Sequence, residues 1–331
     1  MYKVGGLFSG VGGIELGFMN QGFHISWANE IDPHCAKTYQ LNFKHDFILE
    51  DIHNLKGESL EPVDVLTGGF PCQAFSVAGY QKGLKDGRGN LFYEIVRLID
   101  ELEYKPKVLL LENVKNFSTH DKGRTLRILR EELEMRGYCV FNHVLNTAEY
   151  TDIPQNRERT FIICFLEGKD AYLDFSKPMT TNFRMSFPPE KKSELQDFKK
   201  MMDTDVDEKF FYREDKYMYK DLEENITSKN TFYQWRRKYV RENKKQVCPT
   251  LTANMGTGGH NVPLILTDNG IRKLTPNECF LLQGFPKSFK LPTDVPNSQL
   301  YKQAGNSVTV KMIEILADII KSSISAGHRT G

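Results

Sequence analysis

The segment Gly68-Gly69-Phe70-Pro71-Cys72-Gln73-Ala74-Phe75-Ser76 offers a nucleophile in a constrained setting. It follows an apolar run, Val63–Thr67, that reads as a strand, so Cys72 sits on a Gly/Pro loop at a strand's carboxyl end. A cysteine is more often a small buried hydrophobe. Here the glycines and Pro71 fix the backbone and present the thiol. Nearby positive charge or a helix N-terminus would favour the thiolate, lowering the pKa from its free value of about 8.5.

Two further segments carry ionisable groups to the same edge. Leu111-Glu112-Asn113-Val114 closes the strand Lys107–Leu111, and an acid after three leucines needs a partner or a task if it is buried. A helix cap or an ordinary ion pair would satisfy it equally. Pro154-Gln155-Asn156-Arg157-Glu158-Arg159 precedes the strand Thr160–Phe165. Arginines two apart on extended backbone share a face and present fork-shaped donors to a carbonyl or phosphate. Surface arginines are common, so they inform only beside the other two segments.

The run Leu7-Phe8-Ser9-Gly10-Val11-Gly12-Gly13 follows the first strand and opens a helix. Its glycines permit close backbone approach to a ligand, and the helix start offers free N–H donors. Glu30 ends the second strand where an acid often binds ribose hydroxyls. Asp51-Ile52 could receive an adenine amino group, or Asp51 could be a plain surface acid. Alone, the loop would serve NAD, FAD, S-adenosylmethionine or only a tight turn.

The elements that must hold these residues alternate. Strand candidates Tyr2–Phe8, His24–Asn29, Val63–Thr67, Lys107–Leu111 and Thr160–Phe165 interleave with helix candidates Gly13–Asn20, Pro33–Asn42, Leu91–Leu102 and Gly123–Arg136. This predicts an α/β sheet covered on both faces. Residues 177–246 lose the alternation, 247–266 look β-like around a Gly-Thr-Gly-Gly turn, and helical patterns return at Thr275–Leu282 and Val308–Ile320. A second, smaller domain inserted before a returning C-terminal helix is expected.

At 331 residues, with 40% hydrophobic and 26% charged residues, the chain suits a globular protein of two domains. No run approaches the roughly 20 apolar residues of a membrane span, and Met1–Gly10 lacks a secretory signal pattern. Six scattered cysteines without a CxxC pair suggest a reducing cytoplasm and no structural metal. A net charge of +1 gives no sign of a polyanionic partner, but residues 229–245 carry seven basic residues against one acid. Phe232, Tyr233, Trp235 and Tyr239 lie among them. That mixture suits a phosphate-rich partner; a solvated helix with buried aromatics is the plainer alternative.

Taken in order, these segments resemble the cytosine-C5 DNA methyltransferases over nearly the whole chain. FSGVGG resembles the family's cofactor loop, GFPCQAFS its nucleophile loop, ENV its acidic segment and QNRER its arginine segment. RGNLFYEIVRLI at 88–99, RKLTPNECFLLQGFP at 272–286 and QAGNSV at 303–308 match the helix after the catalytic loop, the support of the recognition domain and the returning cofactor segment. Gly6 departs from the pattern, standing where many members carry an acid.

The resemblance implies a Rossmann-like S-adenosylmethionine-dependent methyltransferase sheet with a second, smaller target-recognition domain. The catalytic domain would span 1–176 and be completed by 303–331, the recognition domain 177–271 and a support segment 272–302. Duplex DNA is the implied substrate, with one cytosine flipped out. Cys72 would attack C6, Glu112 hold or protonate N3, and Arg157 donate to O2 with Arg159 in support. Phe8, Gly10, Gly12, Glu30, Asp51, Ile52, Pro71, Leu91, Asn306 and Ser307 would line the S-adenosylmethionine pocket. Gln73, Ser76 and Arg88 on the nucleophile loop and lid, and Arg236, Arg237, Arg241, Thr250 and Asn254 in the recognition domain, are the implied DNA contacts. A bacterial or phage enzyme, cytoplasmic, monomeric and paired with a restriction endonuclease of the same site, is expected. The rivals are a tRNA cytosine-C5 methyltransferase of the same fold, a dinucleotide oxidoreductase built on the glycine loop, and a non-catalytic DNA-binding relative. The variable region of about 95 residues, large enough for a DNA-reading domain, weighs against the first.

Overall fold

The apolar runs of the first half assemble into one seven-stranded sheet. A computed structural model describes residues 1–70, 91–167, 194–236, 238–243, 245–257 and 262–327. Strands β1 (Lys3–Leu7), β2 (His24–Glu30), β3 (Asp46–Leu49), β4 (Val65–Gly69), β5 (Val108–Val114), β6 (Tyr138–Asn146) and β7 (Glu158–Leu166) lie in the order β3-β2-β1-β4-β5-β7-β6. The first five are parallel, whereas β7 runs antiparallel to both β5 and β6. The sequence order reverses between β1 and β4, which makes the carboxyl ends of β1, β2, β4 and β5 a crevice. The sequence pattern missed β3 and β6. Both have mixed burial, so neither shows the continuous apolar run of a central parallel strand.

Helices α1 (Gly13–Asn20), α2 (Pro33–Asn42), α3 (Leu91–Glu101) and α4 (Arg124–Glu134) alternate with the strands as predicted. Helix α3 buries Phe92, Ile95, Val96, Leu98 and Ile99, a three-to-four-residue spacing that lays one face on the sheet. One core includes these residues together with Leu109, Leu111 and Ile162. The opposite core joins Val4, Ile25, Leu110 and Ile163 to the C-terminal helix through Ile313, Leu316, Ala317 and Ile320. A single turn, α5 (Thr147–Tyr150), leads towards β7.

The second sheet is small, with order β11-β10-β8-β9 from β8 (Phe232–Trp235), β9 (Val240–Asn243), β10 (Leu264–Thr267) and β11 (Gly270–Lys273). All its pairings are antiparallel. Helix α6 (Tyr219–Asn225) packs beside it through Leu222. The expected border at 271 falls inside β11, which continues the sheet to Lys273. The β-like stretch 247–266 forms a named strand only from Leu264; Cys248 instead bridges to Gln155 of the first domain.

Helices α7 (Pro276–Leu282), α8 (Asn297–Asn306) and α9 (Val310–Gly327) complete the chain, and α9 packs on α1. Thr275 and Glu278 form a reciprocal capping box at the start of α7. Glu278 also accepts from the buried Arg272 at 2.6 Å and from the Asp203 backbone N–H, tying β11 and the preceding loop to that helix.

Candidate active site

A cavity of about 460 Å³ opens at the carboxyl ends of the central strands. Phe8 and Gly10, Glu30, Asp51 and Ile52, Leu91, Glu112, Arg157 and Arg159, and Asn306 and Ser307 all line it. Segments from both ends of the chain therefore meet at one place. Pro71, Cys72, Gln73, Ser76, Arg88 and the expected lid 77–90 lie outside the described residues, as do 177–193 and Arg237.

On one side the loop after β1 turns under the cavity. Phe8 and Gly10 both have positive φ, and a Cβ on Gly10 would face open space. Such a turn leaves room for a ligand against the backbone. Glu30 receives the Gly10 N–H at 2.8 Å on one oxygen, and those of Ile31 at 2.8 Å and Asp32 at 2.9 Å on the other. Three N–H donors fix this carboxylate at the tip of β2. Asp51 accepts from His53 through both its backbone N–H and its ring, and these contacts hold its carboxyl below the ordinary range.

Gly12 does not line the cavity. It caps α1 in the left-handed region, and its α-carbon faces the Phe43 ring, where a Cβ would stand 2.2 Å away. Its place in the loop is set by packing behind the turn. Ile31, which the sequence reading passed over, projects an apolar side chain that is 60% exposed at the cavity wall. A lone exposed isoleucine after an acid carries no pattern, so only the structure marks it.

On the other side stands Glu112, near the end of β5, with 8% exposure. Burial pushes its carboxyl up, and Arg159 and Arg157 pull the other way. Arg159 Nε lies 2.9 Å from Glu112 Oε1 without the alignment of a hydrogen bond. The pair is a close and largely buried ionic contact. A Cβ on Gly69, opposite Glu112 in the sheet, would stand 3.5 Å from Oε2. The carboxyl thus sits at the root of the Pro71-Cys72 loop. Asn113 strengthens that root by donating from Nδ2 to the Phe70 carbonyl at 2.9 Å, and Phe70 is wedged against Phe92 and Phe117. The sequence reading gave Asn113 no role, and its spacing carries no signal for one.

The two arginines divide differently from the expectation. Arg157 is 2% exposed and donates to the Leu251 carbonyl at 2.9 Å, the Gly305 carbonyl at 3.1 Å and the Ser307 carbonyl. Both terminal nitrogens donate to backbone oxygens, while Nε is buried with no aligned partner among the described residues. Burial, with Arg159 nearby, draws its pKa well down. Arg159, which reaches Glu112, is the arginine whose terminal nitrogens are not all held this way: among the described residues Nη1 bonds only the adjacent Glu158 carbonyl, at 2.8 Å.

Arg157 also locates the returning segments. Gly305 approaches Thr252 so closely that a Cβ would stand 2.2 Å from the Thr252 carbonyl carbon. The Cys248 and Asn156 backbones exchange hydrogen bonds with the facing chain, Cys248 N to Pro154 O and Asn156 N to Cys248 O. Residues 248–252, expected in the recognition domain, are thereby stitched to the first domain. Thr250 donates its hydroxyl to the Asn156 carbonyl at 2.6 Å, and Asn254 accepts from Thr252 Oγ1 at 2.9 Å. In this arrangement the part-exposed Thr250 supports the junction.

The basic stretch is a β8–β9 hairpin and not a helix. Phe232, Tyr233 and Trp235 are buried in the second domain, while Arg236, Lys238, Tyr239 and Arg241 are exposed around the turn. Among the described residues no cluster of His, Cys, Asp or Glu could hold a metal, and no helix is long and apolar enough to cross a membrane.

The family described as "C-5 cytosine-specific DNA methylase" matches residues 2–322. The chain is 50% identical to the type II methyltransferase M.Bsp6I of Bacillus sp. (strain RFL6), covering 98% of this chain and 100% of that one. It is 34% identical to the type II methyltransferase M.HhaI of Haemophilus parahaemolyticus, covering 96% and 94%. Among solved structures, the Dnmt2 methyltransferase of S. pombe superimposes with a TM-score of 0.73 at 20% identity, covering 98% of this chain and 99% of that one. That likeness speaks for the fold alone.

Proposed function

The chain belongs to the C-5 cytosine-specific DNA methylases, and from that premise we propose how its cavity performs the reaction. It is a DNA cytosine-C5 methyltransferase. S-adenosylmethionine fits the glycine-loop side. Glu30 would take the ribose hydroxyls, Ile31 and Ile52 would flank the adenine, and Asp51 would meet its amino group. The open face of Gly10 and the buried, unpartnered Nε2 of Gln303 leave space and a donor there. Bound in that place, S-adenosylmethionine supplies an electrophilic methyl group for C5.

The remaining chemistry belongs to the chain. Cys72 thiolate adds to C6 of the flipped cytosine, moving the ring's electron pair towards C5 and N3. Glu112 shares its proton with N3, so negative charge does not accumulate on the ring. Arg159 donates to O2, the role first given to Arg157, because its position beside Glu112 places one donor and one acid on the same edge of a base. Loss of the C5 proton to a base and expulsion of the thiolate then restore the ring and the free enzyme. The observation that carries this reading is the Glu112–Arg159 pair at the root of the Cys72 loop, in the same cavity as Glu30.

Arg236, Lys238 and Arg241 contact the DNA backbone from the hairpin turn, and the enzyme acts as a monomer beside an endonuclease of the same site. The test is tritium transfer from methyl-labelled S-adenosylmethionine to duplex DNA, with bulk tRNA in parallel and 5-fluorocytosine duplex as a trap. Label in DNA, with an adduct that Cys72→Ser loses, is expected. Label in tRNA alone would overturn the substrate, and an adduct surviving Cys72→Ser would overturn the nucleophile.

A further inference from the structure

Glu15, in the first turn of α1, is wholly buried, although the methyl-transfer chemistry makes no use of it. Among the described residues neither carboxyl oxygen has an aligned hydrogen-bond partner, and the buried Ser9 hydroxyl beside it has none either. The two groups crowd one point: a Cβ on Gly6 would stand 2.1 Å from Glu15 Oε1 and 2.6 Å from Ser9 Oγ. The bare Gly6 thus makes room for a carboxyl delivered from α1, beneath the turn that lines the cavity.

That turn is held by few bonds. Ser9 N–H donates to the Asn29 carbonyl at 2.9 Å, Gly12 N–H to the Ser9 carbonyl at 2.8 Å, and Gly10 N–H to Glu30. Phe8 sits at a φ of 54°, a conformation its side chain disfavours. We propose that Glu15 is a positioning residue for the cofactor: its neutral carboxyl fills the space left by Gly6 and supports the Phe8-Ser9-Gly10 turn, and its ionisation loosens that turn and weakens cofactor binding. The inference rests on the S-adenosylmethionine reading of the cavity.

The surroundings favour the neutral acid. Burial is the largest influence and Glu30 adds to it, against Ser9, so the carboxyl is pushed up to about 7. From α2, the Tyr39 hydroxyl faces the same region and is itself raised by burial and by Glu15; it is bonded to His45. From β1, Lys3 is paired with Glu61, and from α9, Lys311 is paired with Glu314, while Ile313 meets α1 at Gly17. A bare carboxylate in such a place draws in water, and Ser9, crowded against it, is one of the residues that line the cavity.

Calorimetric binding of S-adenosylhomocysteine between pH 5.5 and 8.5 tests this, since that ligand lacks the sulfonium charge that ionised Glu15 would attract. Wild-type affinity is expected to fall about tenfold as pH rises through neutrality, a coupling of ordinary size. Glu15→Gln should bind with a flat profile near the wild-type acid-side value. Ser9→Ala, which removes the nearby hydroxyl that favours the charged carboxylate without an aligned bond in this arrangement, should move the wild-type midpoint upward and keeps the test decisive if Glu15→Gln does not fold. A flat wild-type profile, an unchanged slope in Glu15→Gln, or an unmoved midpoint in Ser9→Ala overturns the role of Glu15 with the cofactor site intact. No binding to wild type at any pH overturns the cofactor reading itself.

Discussion

Glu112 is poised by two opposed influences, burial that favours its proton and Arg159 that favours its charge. A group held between the two can share a proton with a ring nitrogen and recover it. Glu112→Gln keeps a donor to N3 but can transfer no proton. Single-turnover methyl transfer is expected to fall by about 10²- to 10⁴-fold, with duplex binding in gel shifts nearly unchanged. Glu15 gives a stability prediction of definite sign. Its native carboxyl is pushed up from 4.5 to about 7, so the folded state retains a proton that the unfolded state has released. The stabilisation is complete below pH 4.5 and is lost as pH rises through about 7, a difference on the order of 3 kcal/mol. Urea unfolding at pH 5 and pH 8 should show that loss in wild type and a smaller one in Glu15→Gln.

At the scale of elements, the start of β7 acts as a clamp. Arg157 holds the carbonyls of Leu251, Gly305 and Ser307, so one side chain joins the first domain, the stretch after β9 and the end of α8. Lysine is a poor replacement, because a point charge cannot span three fixed oxygens as a planar fork does. Arg157→Lys should lower stability by about 3 kcal/mol and weaken cofactor binding, visible in thermal unfolding with and without S-adenosylhomocysteine. Arg159→Lys should instead leave the melting temperature within a degree or two and depress the methyl-transfer rate. Equal effects of the two substitutions on both readouts would contradict the division of roles.

For the whole molecule, the proposed DNA contact is the β8–β9 turn, where Arg236, Lys238 and Arg241 are exposed while Tyr233 and Trp235 hold the second domain's core. Exposed cations at a hairpin tip act chiefly by releasing counterions from phosphates. Replacing Arg236, Lys238 and Arg241 together by alanine should weaken duplex binding and flatten the log Kd against log salt plot by about 0.9 for each phosphate left without its cation. Fluorescence anisotropy across a salt series reads this directly. The sheet also sets where the second domain can be exchanged for that of a relative. A junction at 271 cuts β11, whereas one after Lys273 keeps the antiparallel pairing with β10 complete.

Much of this was legible in sequence because it is local. The glycine loop, the strands β1, β2, β4, β5 and β7, helices α1 to α4, and the positions of Glu30 and Glu112 at strand ends follow from periodicity, turn residues and an acid after apolar runs. The order of the segments also carried the family. Tertiary structure alone decided what depends on distant chain. Arg157 and Arg159 look alike in QNRER, and only the arrival of Leu251, Gly305 and Ser307 commits one of them to carbonyls. The packing of Phe43 behind Gly12 is likewise visible only in the fold. Strands β3 and β6 take their place through their neighbours, without a strong pattern of their own. Nothing in the sequence singles out Glu15. Its burial follows from the packing of α1 between the sheet and α9, together with the absence of a side chain at Gly6.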